Sequence, residues 1–536
     1  ALCQVVEPAL DTVLGGGGSP AGSPVAGALA LLTDHRAAFE EALAATERAR
    51  AAWSQVELEA LSPAVAGKLA PIERGLPLLE QGLRAALAAP HLLGAGEART
   101  YLILALNEDE LRPGGGFITG VGEVRVERGQ LAEMSFLDVY AVDDLSQPYP
   151  DAPEPLSRYM GLDLWAFRDS NWSPDFPTTA RQALALYRPG YPVSADGVVA
   201  IDQRAVQELV DVLGPLSLEG ADEPVTGRTI IPYMRDSWAP EGGEFSREWF
   251  RQRKSFMGEV AQAAWVQVRR GEVDWIALAQ TVRSLLERKH ILVYLEHPGA
   301  AGVLAEQGWD GALRPGPGDF LMVVDANVGY NKASARVRQS ITYEVDLTQT
   351  LPQATATLVY THTSSVDYPC VPEARYDPVY EQMMDRCYWD YLRLFVPQGS
   401  ELQDATRISV PGQALWSGEP ESGEITVRPA EEGPWLTFGV LNLLPPAASQ
   451  TRRFTWTLPP DVVQWEAEEG RYSLRVQKQP GTRGHPLTVR IRLPAGAEVL
   501  DATPEPASMG TGRVVFRTTL DRDRQFSIRF RRPNEE

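Results

Sequence analysis

The sequence contains very little lysine, cysteine or histidine. Lysine accounts for five of the 50 basic residues, which leaves 45 arginines. Because Ala, Gly and Pro are also abundant, this ratio is typical of a high-GC coding bias, and no arginine is a functional candidate by its type alone. The six histidines show no metal-ligand spacing such as HExxH, and no GxSxG sequence occurs, so a conventional hydrolase is disfavoured.

Long apolar runs and excess positive charge are also missing. No stretch approaches the roughly 20 apolar residues of a membrane helix. The formal net charge of -21 disfavours a nucleic-acid-binding protein. The length of 536 residues, of which 44% are hydrophobic, predicts about two to four globular domains. The chain begins at Ala1 rather than at a methionine, which is compatible with an upstream signal or anchor segment.

Two of the three cysteines lie near each other in the sequence. Cys370 and Cys387 are 17 residues apart in a Pro- and Tyr-rich stretch, whereas Cys3 stands alone. The absence of a CxxC or His-rich context disfavours a zinc site, so a disulfide and two unrelated buried thiols are the two interpretations. A disulfide would contribute roughly 3 kcal/mol of stability and favours an oxidising, extracytoplasmic location.

The hydrophobic pattern changes several times along the chain and predicts a multidomain fold. Residues 1–27 have the Gly-, Ser- and Pro-rich composition of a flexible linker, and 28–95 show helical spacing, interrupted by prolines, that predicts a helical hairpin or stalk. Strands alternate with helices over 96–335, which indicates a central α/β layered domain. Period-two strands then predict a β-sandwich domain over 336–470 and a small C-terminal β domain over 471–536.

The densest polar segment of the central domain, LALNEDELRPGGGFITG, follows its first predicted strand. Open α/β sheets bind ligands at strand ends, and a glycine triplet permits close approach of a ligand to the backbone. The segment lacks the GxGxxG and Walker patterns, so the alternative is a turn without a ligand. The candidate ligand-binding residues here are Asn107, Glu110, Arg112, Gly114, Gly115 and Gly116.

Later loops carry further polar candidates. FRDSNWSPDFP combines acidic and basic groups beside Trp172, which predicts either ligand binding or a loop held by internal hydrogen bonds. A loop with Asp138, Asp143 and Asp144 could hold a hard cation such as Mg²⁺, and a solvated acidic loop is the alternative. The candidates of FRDSNWSPDFP and of VDANVGYNKAS are Arg168, Asp169, Asn171, Asp175, Asn327 and Lys332.

Four ordered segments resemble successive motifs of the bacterial family known as domain of unknown function 4012. They are YLILALNEDELRPGGGFITG, RDSNWSPDFPTTARQALALY, ADGVVAIDQRAVQELVDVLGP and DANVGYNKASARVRQSITYEV, and the resemblance covers roughly 85 to 400. Members are typically predicted to be tethered outside the cytoplasm by an N-terminal membrane helix. The resemblance therefore implies a cell-envelope or cell-surface protein that is secreted or membrane-anchored, with assembly at the surface through an N-terminal segment as one role.

The central domain is also distantly similar to the LytR-CpsA-Psr family through DGVVAIDQRAVQELVDVLGPLSLEG. That family transfers glycopolymers from a polyprenyl-pyrophosphate carrier to the cell wall, with Arg and Asp side chains and Mg²⁺ above an apolar lipid pocket. The similarity implies Arg112, Arg168 and Asp169 as catalytic candidates and Asp138 and Asp175 as metal ligands. Guanidinium groups and a metal would neutralise the charge of the leaving pyrophosphate.

Two functions follow from these resemblances. The first is binding or transfer of polyprenyl-pyrophosphate-linked glycans, and the second is a non-catalytic structural, assembly or glycan-binding role in the envelope. We expect the candidates on the Gly-triplet and Trp172 segments to converge on one cleft. In the competing interpretation, the same residues form a buried salt-bridge network that fixes the glycine turn against the Trp172 loop. A deep apolar tunnel beside Arg112 and Arg168 would favour the first function.

Overall fold

The computed structural model describes residues 24–56, 62–144, 146–191, 194–219, 221–238, 255–270, 273–377 and 379–532. The chain is multidomain, with N-terminal helices, a central part of mixed helices and strands, and a C-terminal part dominated by strands. None of the helices in these ranges has the length and apolar content that crossing a bilayer requires.

The N-terminal helices are α1 (Pro24–Asp34), α2 (Arg36–Trp53) and α3 (Pro63–Leu92). Ion pairs join α2 to α3 in antiparallel orientation, at 2.7 Å between Arg50 and Glu80 and at 2.8 Å between Glu47 and Arg84. The predicted helical hairpin is therefore present in the described residues.

Two details of this region differ from the sequence prediction. Helix α3 continues through Pro71, Pro77 and Pro90, where interruptions were expected. Packing against α2, with ion pairs at Glu80 and Arg84, offsets the local cost of proline. Helix α1 begins at Pro24, inside the segment predicted as a flexible linker. The remainder of that segment, and Cys3 with it, lies outside the described residues.

The central part contains one five-stranded sheet in the order β3-β2-β1-β4-β5. Strands β1 and β4 are parallel and the other neighbours are antiparallel. The β2–β3 turn lies at Arg128 and Gly129, both with positive φ. The strands are β1 (Arg99–Arg112), β2 (Gly115–Glu127), β3 (Gln130–Asp138), β4 (Gly197–Asp202) and β5 (Ile291–Leu295).

Helices cover both faces of this sheet. On one face, Leu102 and Leu104 of β1 pack with Phe176 and Ala180 in a shared apolar core, and on the other face Ala205 packs with Leu285. The helices of the central part are α4 (Val139–Val142), α5 (Glu154–Met160), α6 (Phe176–Tyr187), α7 (Gln203–Leu213), α8 (Ile230–Trp238), α9 (Ser255–Arg270), α10 (Trp275–Glu287) and α11 (Pro298–Gln307).

The C-terminal part forms a seven-stranded sheet and an eight-stranded sheet that share one apolar core. Tyr343 and Trp456 of one sheet and Leu394 and Phe438 of the other lie in this core. A single short α-helix, α12 (Tyr380–Met384), lies among its described residues, besides several 3-10 turns. The strands are β6 (Asp319–Val324), β7 (Val337–Asp346), β8 (Gln353–His362), β9 (Tyr388–Pro397), β10 (Glu401–Ala405), β11 (Thr426–Pro429), β12 (Trp435–Leu444), β13 (Ser449–Thr457), β14 (Val463–Glu466), β15 (Glu469–Gln477), β16 (His485–Arg492), β17 (Glu498–Thr503), β18 (Ser508–Gly510), β19 (Arg513–Leu520) and β20 (Arg524–Arg531).

The sheet topology differs from the predicted domain limits at 335 and 470. Strand β6, assigned to the central domain from the sequence, pairs with β9 and β15 of the eight-stranded sheet. Strands after 470 complete both sheets, since β16 pairs with β7 and β15 pairs with β6. The expected separate domain over 471–536 is therefore not observed. Alternation of side chains shows that a segment is a strand but does not identify its partner.

Cys370 and Cys387 form the predicted disulfide, with their Cα atoms 5.6 Å apart. It joins the loop after β8 to the residue immediately before β9, and Cys387 is buried. The alternative of two unrelated thiols is thereby excluded.

Candidate functional site

A cavity of about 590 Å³ lies between the central sheet and helices α7, α8 and α9. Its volume falls within the range of about 300–1,000 Å³ that is usual for small-molecule sites. Its walls are largely apolar, and polar side chains gather where β1 ends.

The apolar part of the cavity is built on the pleat of β1. Successive side chains of a strand face opposite sides, so Leu102 and Leu104 enter the core with α6 while Ile103 and Ala105 face the cavity. Ile103 and Ala105 are only half-buried. The facing wall consists of apolar residues from α7 and α9, namely Val206, Leu209, Val210, Leu213, Phe256, Met257, Val260, Ala261 and Ala264.

Methionine is concentrated around this cavity. Four of the eight methionines in the chain line it, Met160, Met234, Met257 and Met383. The unbranched, polarisable methionine side chain adapts to irregular apolar shapes. Such a wall suits a flexible hydrocarbon better than a rigid ring system.

The polar end of the cavity is a buried network of ionised groups. Arg112, at the end of β1, donates from Nη2 to Glu110 Oε1 at 3.0 Å and to Asp169 Oδ1 at 3.4 Å. The Lys332 ammonium group donates to the other oxygen of Glu110. Arg168 Nε lies 3.8 Å from Asp169 Oδ2. All five residues line the cavity, so six of the predicted candidates, with Asn107, do converge there.

Burial and ion pairing act in opposite directions on the two acids of this network. Burial alone would raise the pKa of Glu110, but Lys332 and Arg112 outweigh it and hold that pKa below its ordinary value. Burial raises the pKa of Asp169, and Arg112 and Arg168 offset the effect only in part. Asp169 is therefore the acid of this network that protonates more readily.

Arg112 and Arg168 differ in exposure and in how many of their donors are bonded within the protein. Arg112 is 1% exposed and also donates from Nη1 to the Asn327 carbonyl oxygen at 2.7 Å. The Arg168 side chain is 20% exposed, pairs with Asp143 at 2.8 Å and lies over the Tyr140 ring. Arg112 thus holds two segments together, while Arg168 remains accessible from the cavity.

Arg235 of α8 is a cavity residue that sequence reasoning missed. Its Nη2 donates to Asp109 Oδ2 at 2.9 Å, and its side chain is 20% exposed. Within the part of the chain that the structure describes, the buried Nε atoms of Arg235 and Arg112 have no hydrogen-bond acceptor. Arg235 lies in an ordinary amphipathic segment, IIPYMRDSW, so only the packing of α8 against the cavity identifies it.

Asn107 connects the polar end to two further residues that were not among the candidates from the sequence. Its Nδ2 donates to the Tyr380 hydroxyl at 2.9 Å, and its Oδ1 accepts from Gln203 Nε2 at 2.8 Å. Tyr380 and Gln203 line the cavity as well.

The glycine triplet does not line the cavity. A Cβ on Gly116 would lie 2.3 Å from the Asn107 carbonyl carbon, and one on Gly114 would lie 3.0 Å from the Asn171 Cβ. Asn171 Nδ2 donates to the Gly116 carbonyl oxygen at 2.7 Å, and Gly115 has a φ of 127°. Gly114 to Gly116 and Asn171 therefore have the structural role of the competing interpretation. They fix the glycine turn against the Trp172 loop.

The remaining candidates also have local structural roles. Asp175 caps α6 by accepting from Thr178 N at 3.0 Å and also accepts from Leu313 N, and Asp138 caps α4. The Asn327 side chain bonds within its own loop, to Gly329 N at 2.8 Å. Across the described ranges, no three His, Cys, Asp or Glu side chains are grouped so as to hold a metal ion.

A family model supports part of the sequence resemblance. The model described as "Protein of unknown function (DUF4012)" matches residues 96–238, which contain the sheet strands β1 to β4 and several cavity residues. No curated protein matches the chain.

Several solved structures are similar over part of the chain. Protein gbs0355 from Streptococcus agalactiae is 12% identical, with 41% of this chain and 76% of that chain covered, at a TM-score of 0.28. Lin1025 from Listeria innocua is 12% identical, covers 40% and 78%, and has a TM-score of 0.23. The transcriptional regulator yvhJ from Bacillus subtilis is 9% identical, covers 40% and 78%, and has a TM-score of 0.23. Because the TM-scores are below 0.5, we infer neither fold nor function from these similarities.

Proposed function

We propose that the protein acts in the cell envelope, outside the cytoplasm, and binds an amphiphile with an anionic head group of the polyprenyl-pyrophosphate class. The observation that carries this proposal is a single cavity that joins a methionine-rich apolar wall to a cluster of arginine and lysine side chains. The disulfide supports an oxidising compartment. This ligand class is the one implied by the distant sequence similarity to the LytR-CpsA-Psr family that we infer for DGVVAIDQRAVQELVDVLGPLSLEG.

The hydrocarbon part of the ligand would occupy the space between β1 and α9. Each buried CH₂ group contributes about 0.8 kcal/mol, so several isoprene units provide ample affinity even after the cost of ordering the chain. The half-buried Ile103 and Ala105 are the surfaces that such a chain would cover.

The head group would be bound by individual donors rather than by net charge. Each cation at the polar end already has a carboxylate partner: Glu110, Asp169, Asp143 and Asp109 balance Arg112, Lys332, Arg168 and Arg235. Arg168 and Arg235 keep part of their guanidinium surface accessible, and planar guanidinium groups suit bidentate contact with phosphate. A phosphate oxygen could also accept from the buried Nε donors that lack a partner among the described residues.

The described residues do not fit a preassembled Mg²⁺ site. Asp138 and Asp175 are helix caps outside the cavity, and Glu110 and Asp169 are held by arginine and lysine. The charge of a pyrophosphate would then be offset by guanidinium and ammonium groups, and no step is assigned to a metal.

Transfer of the head group is a second candidate function, favoured by Asp169. A buried carboxylate with a raised pKa at the charged end of a cavity is a candidate general base. In such a transfer, an acceptor hydroxyl attacks the distal phosphorus and gives its proton to Asp169. The bond to the bridging oxygen breaks, and polyprenyl phosphate leaves while Arg112 and Arg168 stabilise its charge.

The C-terminal strands would have a non-catalytic part in either function. Because the two sheets share one core, we propose that they form a β-sandwich that supports the cavity and contacts envelope glycans or other surface proteins. A protein that binds the lipid-linked ligand without transferring it would act as a glycan-binding or assembly protein.

The binding proposal is tested by filling the cavity from α9. Geranylgeranyl diphosphate, a short analogue of the ligand class, is titrated by calorimetry into the native protein and into Ala261→Phe. We expect Ala261→Phe to weaken binding by about tenfold or more, because the added ring occupies the hydrocarbon space.

The matched control is Gln262→Phe, which places the same ring on the exposed side of the same helix. Its affinity should equal that of the native protein. Absence of binding to the native protein, or equal losses in the two variants, would overturn the proposed function.

A further inference from the structure

The Cys370–Cys387 disulfide closes a loop that supplies part of the cavity wall. The described residues between the two cysteines are 371–377 and 379–386. Three of them, Tyr376, Tyr380 and Met383, line the cavity. The loop therefore belongs to the binding site, although it lies far along the chain from the central sheet.

Tyr380 places this loop directly on the polar end of the cavity. Its hydroxyl donates to Asp109 Oδ2 at 2.8 Å and accepts from Asn107 Nδ2 at 2.9 Å, and its ring lies 5.2 Å from the Arg235 guanidinium carbon. Asp109 is also the partner of Arg235. The position of the Tyr380 ring and hydroxyl thus determines how Arg235 and Asn107 are presented to a ligand.

A second contact links the loop to Lys332. The backbone N–H of Lys332 donates to the Met383 carbonyl oxygen at 3.3 Å, and Met383 is buried. Through Met383 the loop holds the backbone that carries the Lys332 ammonium group. Two of the cations at the polar end, Arg235 and Lys332, therefore depend on where this loop lies.

Other anchors hold the loop near its first cysteine. Arg375 is buried and donates to the carbonyl oxygens of Tyr159 and Ala414 at 2.9 and 3.1 Å. Its guanidinium carbon also lies 4.5 and 5.3 Å from the ring centroids of two tryptophans. The part that carries Tyr380 and Met383 follows this anchor, and among its described residues the one-turn helix α12 is the only regular element. The disulfide closes the loop by bonding its first residue, Cys370, to Cys387, the residue immediately before β9.

We propose that the disulfide preorganises this loop, so that Tyr380 and Met383 hold Arg235 and Lys332 in position for the anionic head group, and that opening the disulfide weakens ligand binding. The inference rests on the proposed function. A loop that must be ordered during binding lowers affinity by the cost of its ordering. In the competing interpretation, Arg375 and the ion pairs of Asp377 with Arg386 and of Asp385 with Arg336 hold the loop. The disulfide would then stabilise the fold without affecting the cavity.

The test is a double-mutant cycle between the disulfide and Tyr380. Affinity for geranylgeranyl diphosphate is measured for the native protein, Tyr380→Phe, the Cys370→Ser/Cys387→Ser variant, and the combination, at a temperature where circular dichroism shows all four folded. We expect the serine variant to bind about tenfold more weakly, mainly through faster dissociation. Tyr380→Phe should weaken binding in the disulfide-bonded protein and have much less effect in the serine variant.

The outcomes separate this inference from the proposed function. Equal affinity of the native protein and the serine variant, or strictly additive losses in the cycle, overturns the positioning role. Failure of the native protein to bind overturns the proposed function instead. Melting temperature is not a criterion, because a purely structural disulfide would change it too.

If the serine variant does not fold, hydrogen exchange of the native protein replaces it. Bound geranylgeranyl diphosphate should slow amide exchange at residues 379–386 when the disulfide is intact. Unchanged exchange there in ligand-saturated protein would show that the loop takes no part in binding.

Discussion

The polar end of the cavity and the core between the two C-terminal sheets both bury carboxylates, but the partners differ. At the cavity, Glu110 and Asp169 meet the charged Arg112. In the C-terminal core, Asp319 accepts from the hydroxyls of Tyr343 and Tyr472 at 2.7 and 2.5 Å. Burial raises the pKa of Asp319 to about 6, because these neutral donors and the Phe320 N–H offset the loss of water only in part and no cation of the described residues adds to them.

This difference bears on the role of the charged side chains at the cavity. Buried ion pairs are often no more stabilising than well-packed neutral groups of the same volume. The C-terminal core shows that this chain can satisfy a buried carboxylate with neutral hydroxyl donors. The placement of arginine and lysine at the cavity agrees with the anionic ligand that we propose.

The largest expected effect is on the ion network itself. Arg112→Met should lower the free energy of unfolding by about 3–5 kcal/mol, because it leaves Asp169 and Glu110 buried with fewer partners. Urea denaturation followed by circular dichroism measures the change.

Arg490→Met is the matched control, since it removes a more exposed arginine that pairs with Glu344 at 3.1 Å across neighbouring strands. Its effect should stay within about 1 kcal/mol. An Arg112→Met protein as stable as the native one would show that the network does not hold the two segments together. The contrast between the charged cavity network and the neutral donors of the C-terminal core would then have no energetic basis.

A smaller, pH-dependent effect is expected in the C-terminal core. The folded pKa of Asp319 is raised to about 6, above an unfolded value near 3.9, so both states are protonated below about pH 4. As the pH rises from 4 to 6, the unfolded chain ionises first and the native protein loses up to about 3 kcal/mol of stability from this group. Above pH 6 the loss is constant.

Asp319→Asn isolates this contribution because the amide does not titrate. Its stability relative to the native protein should increase between pH 4 and pH 7, as measured by urea denaturation at several pH values. A difference that does not change with pH would mean that Asp319 is ionised in the folded protein, and the contrast with the cavity would disappear.

Much of the secondary structure follows from local sequence patterns. The Arg128-Gly129 turn, the strands after it and helix α7 with its closing Gly214 depend on residues that are neighbours in the chain. The pairing of β6 with β15 does not, because the two strands are far apart in sequence and alternation carries no information about partners. For the same reason, the sequence pattern could not predict that the two C-terminal sheets share a single core.

The candidate site was predictable in its charged half. Glu110 and Arg112 end β1, while Arg168, Asp169 and Lys332 lie in polar segments between strands. The structure brings these five side chains together. The apolar half was not predictable, because the faces of α7 and α9 that line the cavity have the same pattern as helix faces in a solid core.

The caps illustrate a signal that was present in the sequence but assigned to another role. Asp175 stands three residues before Thr178 at the start of an apolar helical pattern, which is a helix-start signature. This spacing explains its contacts better than metal binding does. Asp138 likewise precedes the short helix that it caps.

The most direct test of head-group recognition at the cavity compares two ligands that differ only in the head group. Calorimetry with geranylgeranyl diphosphate and geranylgeraniol measures the contribution of the anionic group, in the native protein, in Arg168→Gln/Arg235→Gln and in the control Arg490→Gln. We expect the native protein and the control to prefer the diphosphate by about tenfold or more. The double variant should lose this preference while binding the alcohol as before. Equal affinity of the native protein for both ligands, or a preference that survives in the double variant, would contradict head-group recognition at the cavity.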